Sequence, residues 1–172
     1  AFFSQLRVRH ALNDATNPDL SAFQAAGGKL ILWHGWQDQH ISPINTIAYR
    51  EAVQRTLGDA PMNSFMRTYL APGVGHCRGG EGPWQMDFVS AMVSWVEQGR
   101  APDAVTTTRT DAAGTVLYQR PLFPFPEVAR HDGVGDPRLA ANYRRSAPLF
   151  TAATPDWAGA DFFQPYLPTP AA

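Results

Sequence analysis

His76 and Asp38 are the side chains of this sequence with the most chemistry to offer. His76 lies in Gly73-Val74-Gly75-His76-Cys77-Arg78-Gly79-Gly80, between a glycine-bent turn and a glycine-rich loop. An imidazole presented from such a loop, after a strand-like run, can face a cleft and move protons near neutral pH. Upstream, Lys29-Leu30-Ile31-Leu32-Trp33-His34-Gly35-Trp36-Gln37-Asp38 has the same form, an apolar run ending in a loop that presents a carboxylate. A carboxylate that reaches a histidine fixes its tautomer and stabilises the imidazolium, contributing orientation and charge. Each residue also has a plainer reading. Asp38 suits a turn beside a helix start, stabilised by the helix dipole, and His76 suits a loop where backbone satisfies it. Cys77 is the sequence's one cysteine, and a plain buried thiol is the usual fate of such a residue. His34, Asp38, His40, His76 and Cys77 are zinc-binding types as well. They form no closed set of ligand spacings, and His34 stands at a strand end where packing accounts for it.

The elements that must carry these residues follow from periodicity. Residues 29–34 are a continuous apolar run bounded by glycines, the form of a strand covered on both faces. Ser42-Pro43 predicts a helix start, with serine as N-cap and proline at the first helical position. Ile44, Ile47, Ala48 and Ala52 then share one face, and Gly58 ends the element. Residues 65–70 predict the next strand, which Pro72-Gly73 turns toward His76. From residue 86, Phe88, Ala91, Met92, Trp95 and Val96 mark an apolar helix face that stops at Gly99.

Two apolar strands, each followed by an amphipathic helix, predict an α/β fold with parallel strands and helices packed on the sheet. Residues 106–109 and 115–119 read as a hairpin about 111–114. The three prolines within 121–126 predict an extended edge or surface segment, because each removes a ladder donor. Residues 13–18 read as a turn and 19–23 as a short helical piece. After about Ser146 the composition shifts to Ala, Pro and Thr, predicting an irregular tail over 146–172 that drapes over a surface or is partly disordered.

Strand-Asp-helix-strand-His-helix is the chain order of the last two members of a Ser-Asp-His triad on an α/β-hydrolase sheet. The nucleophile has no counterpart. Ser4, Ser21, Ser42, Ser64, Ser90, Ser94 and Ser146 all lack a Gly-x-Ser-x-Gly elbow, and Ser42 is explained as a helix cap.

Composition narrows the classes further. The 172 residues suffice for one buried core, with 44% hydrophobic and 17% charged residues. A net charge of -1 favours neither nucleic acid nor an anionic membrane as partner. No apolar run approaches the length of a membrane span. One cysteine cannot close an internal disulfide; in an exported protein it suggests a bond to another chain.

The motifs also resemble those of the tannase and feruloyl esterase family, which includes mono(2-hydroxyethyl) terephthalate hydrolases. Residues 27–38 resemble its signature before the acid. The likeness continues through Ala71-Pro72-Gly73-Val74-Gly75-His76-Cys77, Trp95-Val96-Glu97-Gln98-Gly99-Arg100-Ala101-Pro102, Arg120-Pro121-Leu122-Phe123-Pro124-Phe125-Pro126 and residues 128–136. It covers roughly residues 12–143, and ordered blocks in register are more specific than one short motif.

The resemblance implies a carboxylic-ester hydrolase acting on aromatic acyl esters such as gallates, ferulates or terephthalate monoesters. Asp38 would be the triad acid and His76 the general base. Cys77 would be disulfide-bonded to the segment that bears the nucleophilic serine, which implies a secreted or periplasmic protein. Residues 1–145 would be the C-terminal portion of the catalytic domain, as a processed subunit or a fragment, expected to be inactive alone. Trp36, on the acid's loop, and Arg78, beside His76, are candidate substrate contacts; Trp33, Trp84 and Trp95 read as packing residues. No cofactor is expected in this chain, and the calcium ion sometimes found in the family's lid has no residue here to hold it. Family members often carry cysteines where Phe123 stands and near Arg144; this sequence has neither. The competing reading is a non-catalytic binding or structural module that keeps the fold without the nucleophile.

Overall fold

A computed structural model of the chain describes residues 15–148. Ser4, the start of the 13–18 turn and the expected tail from residue 149 onward lie outside them. A short helix, Ser21–Ala25 (α1), precedes the first strand, Leu30–Gly35 (β1). Side chains along a strand alternate between faces. Leu30 and Leu32 pack toward Val53, Met62, Phe65 and Met66, while Ile31 and Trp33 pack toward Tyr69, Ala71, Val74, Val105 and Leu122. Both faces therefore need apolar residues, which is why the run shows no alternation.

The second strand, Met66–Ala71 (β2), runs parallel to β1, with Leu30 opposite Met66 and Gly35 opposite Ala71. The helices Pro43–Leu57 (α2) and Asp59–Phe65 (α3) make the crossover. Pro43 opens α2 and Ser42 Oγ accepts the Ile44 N–H at 3.3 Å, as the sequence predicts. Ile47, Ala48, Ala52 and Val53 are buried on its inner face, while Ile44 is half-buried. Gly58, at φ 87, ends α2. α3 differs from the sequence expectation: it is too short to show a period, and it takes Phe65 out of the predicted strand. Proline suits a first helical turn, and Pro61 sits there.

The helix Phe88–Gln98 (α4) starts after Met86, which belongs to the strand Gln85–Met86 (β3). Asp87 caps it by accepting the Ser90 N–H at 2.8 Å, and Gly99 closes it in the left-handed conformation at φ 68. Trp95 is buried at 3% exposure, but Val96, expected on the same face, is 63% exposed, as Val89 and Val93 are also exposed. This helix is apolar almost all round, so periodicity alone misassigned Val96 to the inner face.

β3, Val105–Thr110 (β4) and Val116–Leu122 (β5) form an antiparallel sheet in that order. The hairpin is the one predicted, with Thr108 opposite Gln119, and Asp111 Oδ1 accepts the turn N–H groups of Ala113 and Thr115 at 2.9 Å. Pro121 and Leu122 depart from the surface reading, because both are buried at the end of β5. β5 is the last strand of its sheet, where a missing ladder donor is tolerated. Beyond it, the Phe125 N–H donates to Thr68 O of β2 at 2.8 Å.

Val128–His131 (β6) pairs with Tyr143–Ser146 (β7). Arg145 of β7 bonds Glu127 at 2.8 Å and Asp103 at 2.6 Å, and lies 5.0 Å over the Phe123 ring. Ion pairs and a cation–π contact thus fasten the segment at Phe123, one of the two positions where the resemblance places a cysteine.

The parallel ladder continues past the strands. The Trp36 N–H donates to Ala71 O and the Gln37 N–H to Val74 O, both at 2.9 Å. A Cβ at residue 35 would stand 2.2 Å from Val74 O, so this approach needs glycine there. Gly35→Ala should lower stability by roughly 1–3 kcal/mol, the usual cost of overpacking against an interior that cannot give way. Urea denaturation measures this, and an unchanged midpoint would contradict the close contact.

Candidate active site

The loops after β1 and β2 lie side by side because the two strands are parallel and in register. Asp38 sits on the first loop and His76 on the second. His76 Nδ1 is 2.7 Å from Asp38 Oδ2. A carboxylate only accepts, so His76 carries its proton on Nδ1, which donates to Asp38. Its Nε2 has no hydrogen-bond partner among the described residues. The His76 side chain is 38% exposed, against 6% for Asp38. The acid is therefore sheltered, while the histidine is partly open to the surface.

Asp38 is saturated with donors. Its Oδ1 accepts the backbone N–H groups of His40 at 2.8 Å and Ile41 at 2.9 Å, the pattern by which aspartate shapes its own turn. Its Oδ2 takes His76 and also His34 Nε2, 3.1 Å away. Burial raises the Asp38 carboxyl, but the Ile41 N–H, the His76 imidazole and the His40 N–H outweigh it together, holding the group well below the usual carboxylate range.

His34 corrects the sequence reading. Packing at a strand end does not account for it: its Nε2 bonds Asp38 and Ile41 O, each at 3.1 Å, and its Nδ1 lies 2.7 Å from Thr46 Oγ1. The signal available was parity: His34 shares the β1 face of Leu30 and Leu32, which looks toward α2. Two further residues border His76: Gln39, which the sequence does not single out, and His40, which it offers only as a zinc-binding type. Gln39 Oε1 accepts the His76 N–H at 3.3 Å, and the His40 ring stands edge-on to His76 with centroids 5.0 Å apart. Both are exposed, and nothing in their spacing distinguishes them from solvated loop residues.

Cys77 is a free, exposed thiol at φ 48, a left-handed conformation uncommon outside glycine. Trp36 projects from the acid's loop with 43% of its surface exposed. Arg78 lines a groove of about 530 Å³ with Trp84, Gln85 and Arg109. Asp38 and His76 are not among the residues lining that groove. Trp33 and Trp84 pack partly buried against the core, as read from the sequence. Among the described residues, no three His, Cys, Asp or Glu side chains converge where they could hold a metal ion. No helix among them is long and apolar enough to cross a membrane. Ser42, the serine nearest to Asp38 in sequence, caps α2.

The family model described as tannase and feruloyl esterase matches residues 2–146. A mono(2-hydroxyethyl) terephthalate hydrolase from Piscinibacter sakaiensis is 39% identical over 136 residues, covering 78% of this chain and 22% of that protein. A probable feruloyl esterase from Arthroderma benhamiae is 42% identical over 132 residues, covering 74% of this chain and 24% of that protein. The crystal structure of an esterase from Aspergillus oryzae superposes with a TM-score of 0.72 at 27% identity, covering 76% of this chain and 29% of that one. The chain thus spans about a quarter of the length of these relatives. Its parallel strands and flanking helices are part of an α/β-hydrolase-type domain.

A carboxyl held low in the folded state contributes stability above its unfolded value of about 3.9, and that contribution is lost as pH falls toward the folded value. The chain should therefore lose stability below about pH 4, and Asp38→Asn should lose less over the same window. Urea midpoints at neutral and acid pH for both proteins measure the difference. Taking the difference removes Asp87 and Asp136, whose carboxyls Ser90 and Arg138 hydrogen bonds also hold low. Equal losses in the two proteins would contradict the saturated carboxylate.

Proposed function

The chain belongs to the tannase and feruloyl esterase family, and we propose that it supplies the acid and the general base of a serine carboxylesterase acting on aromatic acyl esters. One observation carries this reading: His76 Nδ1 donates to Asp38 at 2.7 Å while Nε2 is left for another group. In the proposed reaction His76 Nε2 takes the proton of a serine hydroxyl as its oxygen attacks the ester carbonyl. Asp38 stabilises the imidazolium so formed. His76 then returns the proton to the leaving alcohol, and later activates the water that frees the acid from the acyl-enzyme.

The serine in this proposal belongs to a segment outside the present sequence. Cys77, beside the base and exposed, is proposed to form a disulfide with that segment. The bond would hold the two loops together and require an oxidising compartment, either secreted or periplasmic. The aromatic substrate class rests on the names of the relatives, a terephthalate monoester hydrolase and a feruloyl esterase. Trp36 offers an exposed indole face on the acid's loop, and Arg78 a cation two residues after the base, where a ring and a carboxylate would suit them.

Intact mass of the native, non-reduced material tests the partnership, with a second polypeptide expected through Cys77. A fluorophosphonate probe should label that partner and leave this chain unlabelled; a label on one of this chain's own serines would overturn the proposal. In the assembled esterase, His76→Ala should lower kcat on methyl ferulate by roughly 10³-fold or more with little change in stability. Half-retained activity would exclude His76 as the base. Native material with neither partner nor esterase activity would favour a non-catalytic module.

A further inference from the structure

We propose that His34, held in one tautomer by Thr46, is a positioning residue for the Asp38–His76 pair, an inference that rests on reading that pair as acid and base. The donors to Asp38 are of two kinds. The His40 and Ile41 N–H groups belong to the same loop as the carboxylate, so they shape that loop without tying it to the rest of the fold. His34 stands on β1, and it is the one side-chain donor among the described residues that reaches the carboxylate from a strand. A group held from a regular element is placed more accurately than one held within its own loop.

The tautomer of His34 follows from its neighbours. Nε2 faces two groups that only accept, Asp38 Oδ2 and Ile41 O, each at 3.1 Å, so it carries the proton and shares it between them. Nδ1 is 2.7 Å from Thr46 Oγ1, a hydroxyl that can donate to its lone pair. With Thr46 donating, every polar atom of the ring is satisfied while it is neutral. A neutral ring is what the proposed reaction needs, because an imidazolium at His34 would oppose the positive charge His76 acquires when it takes a proton. The side chain is only 12% exposed, so water is poorly placed to replace Thr46. The resulting chain runs Thr46 of α2, His34 of β1, Asp38, His76. It links the helix layer and the sheet to the atom proposed to do the chemistry, in the way that outer partners orient the groups they touch at metal sites.

Two-bond ¹H–¹⁵N spectra of the full chain, labelled at its histidines, read the tautomers directly. His34 should appear as the Nε2–H form and neutral His76 as the Nδ1–H form. In His34→Leu the His76 nitrogen signals should drift toward the mixed pattern of a free imidazole. His34→Gln, whose amide N–H can stand where Nε2–H stood, should restore the single form. Thr46→Val should leave His76 in place but mix the tautomers of His34, and it tests the idea should His34→Leu fail to fold. In the assembled esterase, His34→Leu should lower kcat between about ten- and a hundredfold at unchanged KM, the scale of a small misplacement at a reacting group; His34→Gln should recover most of the loss. An unaltered His76 spectrum in folded His34→Leu, or a glutamine variant no better than leucine, would overturn the positioning role. A wild-type His76 lacking the Nδ1–H form would instead sink the acid–base reading.

Discussion

Gly35 stands opposite Ala71 at the ends of two parallel strands, and its missing side chain lets Val74 O come to where a Cβ would be. From this approach two further backbone hydrogen bonds form, Trp36 to Ala71 and Gln37 to Val74. They bind the loop that carries Asp38 to the loop that carries His76 before any side chain is involved. The 2.7 Å bond between carboxylate and imidazole is therefore a consequence of sheet register. A Cβ at 35 would meet Val74 O and Gly75 O, at the root of the loop that carries His76.

The electrostatics of the site follow from how completely the carboxylate is served. Two backbone donors and two imidazoles occupy all four of its accepting positions. Burial alone would favour the neutral acid; the donors reverse this, and the charge persists in a setting where 6% of the side chain meets solvent. A fixed, ionised acid beside an exposed imidazole suits general-base chemistry, since the charge is in place before the histidine takes up a proton. The same saturation ties the carboxylate to groups set back from the surface, with His34 foremost among them.

The remaining surface differs in character from this corner. Val89, Val93 and Val96 leave one side of α4 apolar and exposed, in a chain that spans about a quarter of the length of its relatives. At the other end of the described chain, Arg145 ties β7 to Asp103 and Glu127 by charge, so the hairpin of β6 and β7 is fastened without covalent help.

Local chemistry was legible wherever neighbours in the chain decide the outcome. The apolar run of β1, the Ser42-Pro43 start of α2, the Asp111 turn and the glycine ends of both long helices depend on propensity and caps a few residues apart. The succession of predicted strands and helices also showed the order in which an acid and a histidine follow their strands. What the chain order could not supply was distance. His34 and Thr46 are 12 positions apart, and only the crossover of α2 onto the β1 face brings hydroxyl to ring. Periodicity likewise could not say which side of α4 faces inward, because Val96 and Trp95 are both apolar and only packing against the sheet chooses between them. Asp38 and His76 were named from sequence as candidates; their contact across 38 residues is a property of two parallel strands in register, which no local pattern encodes.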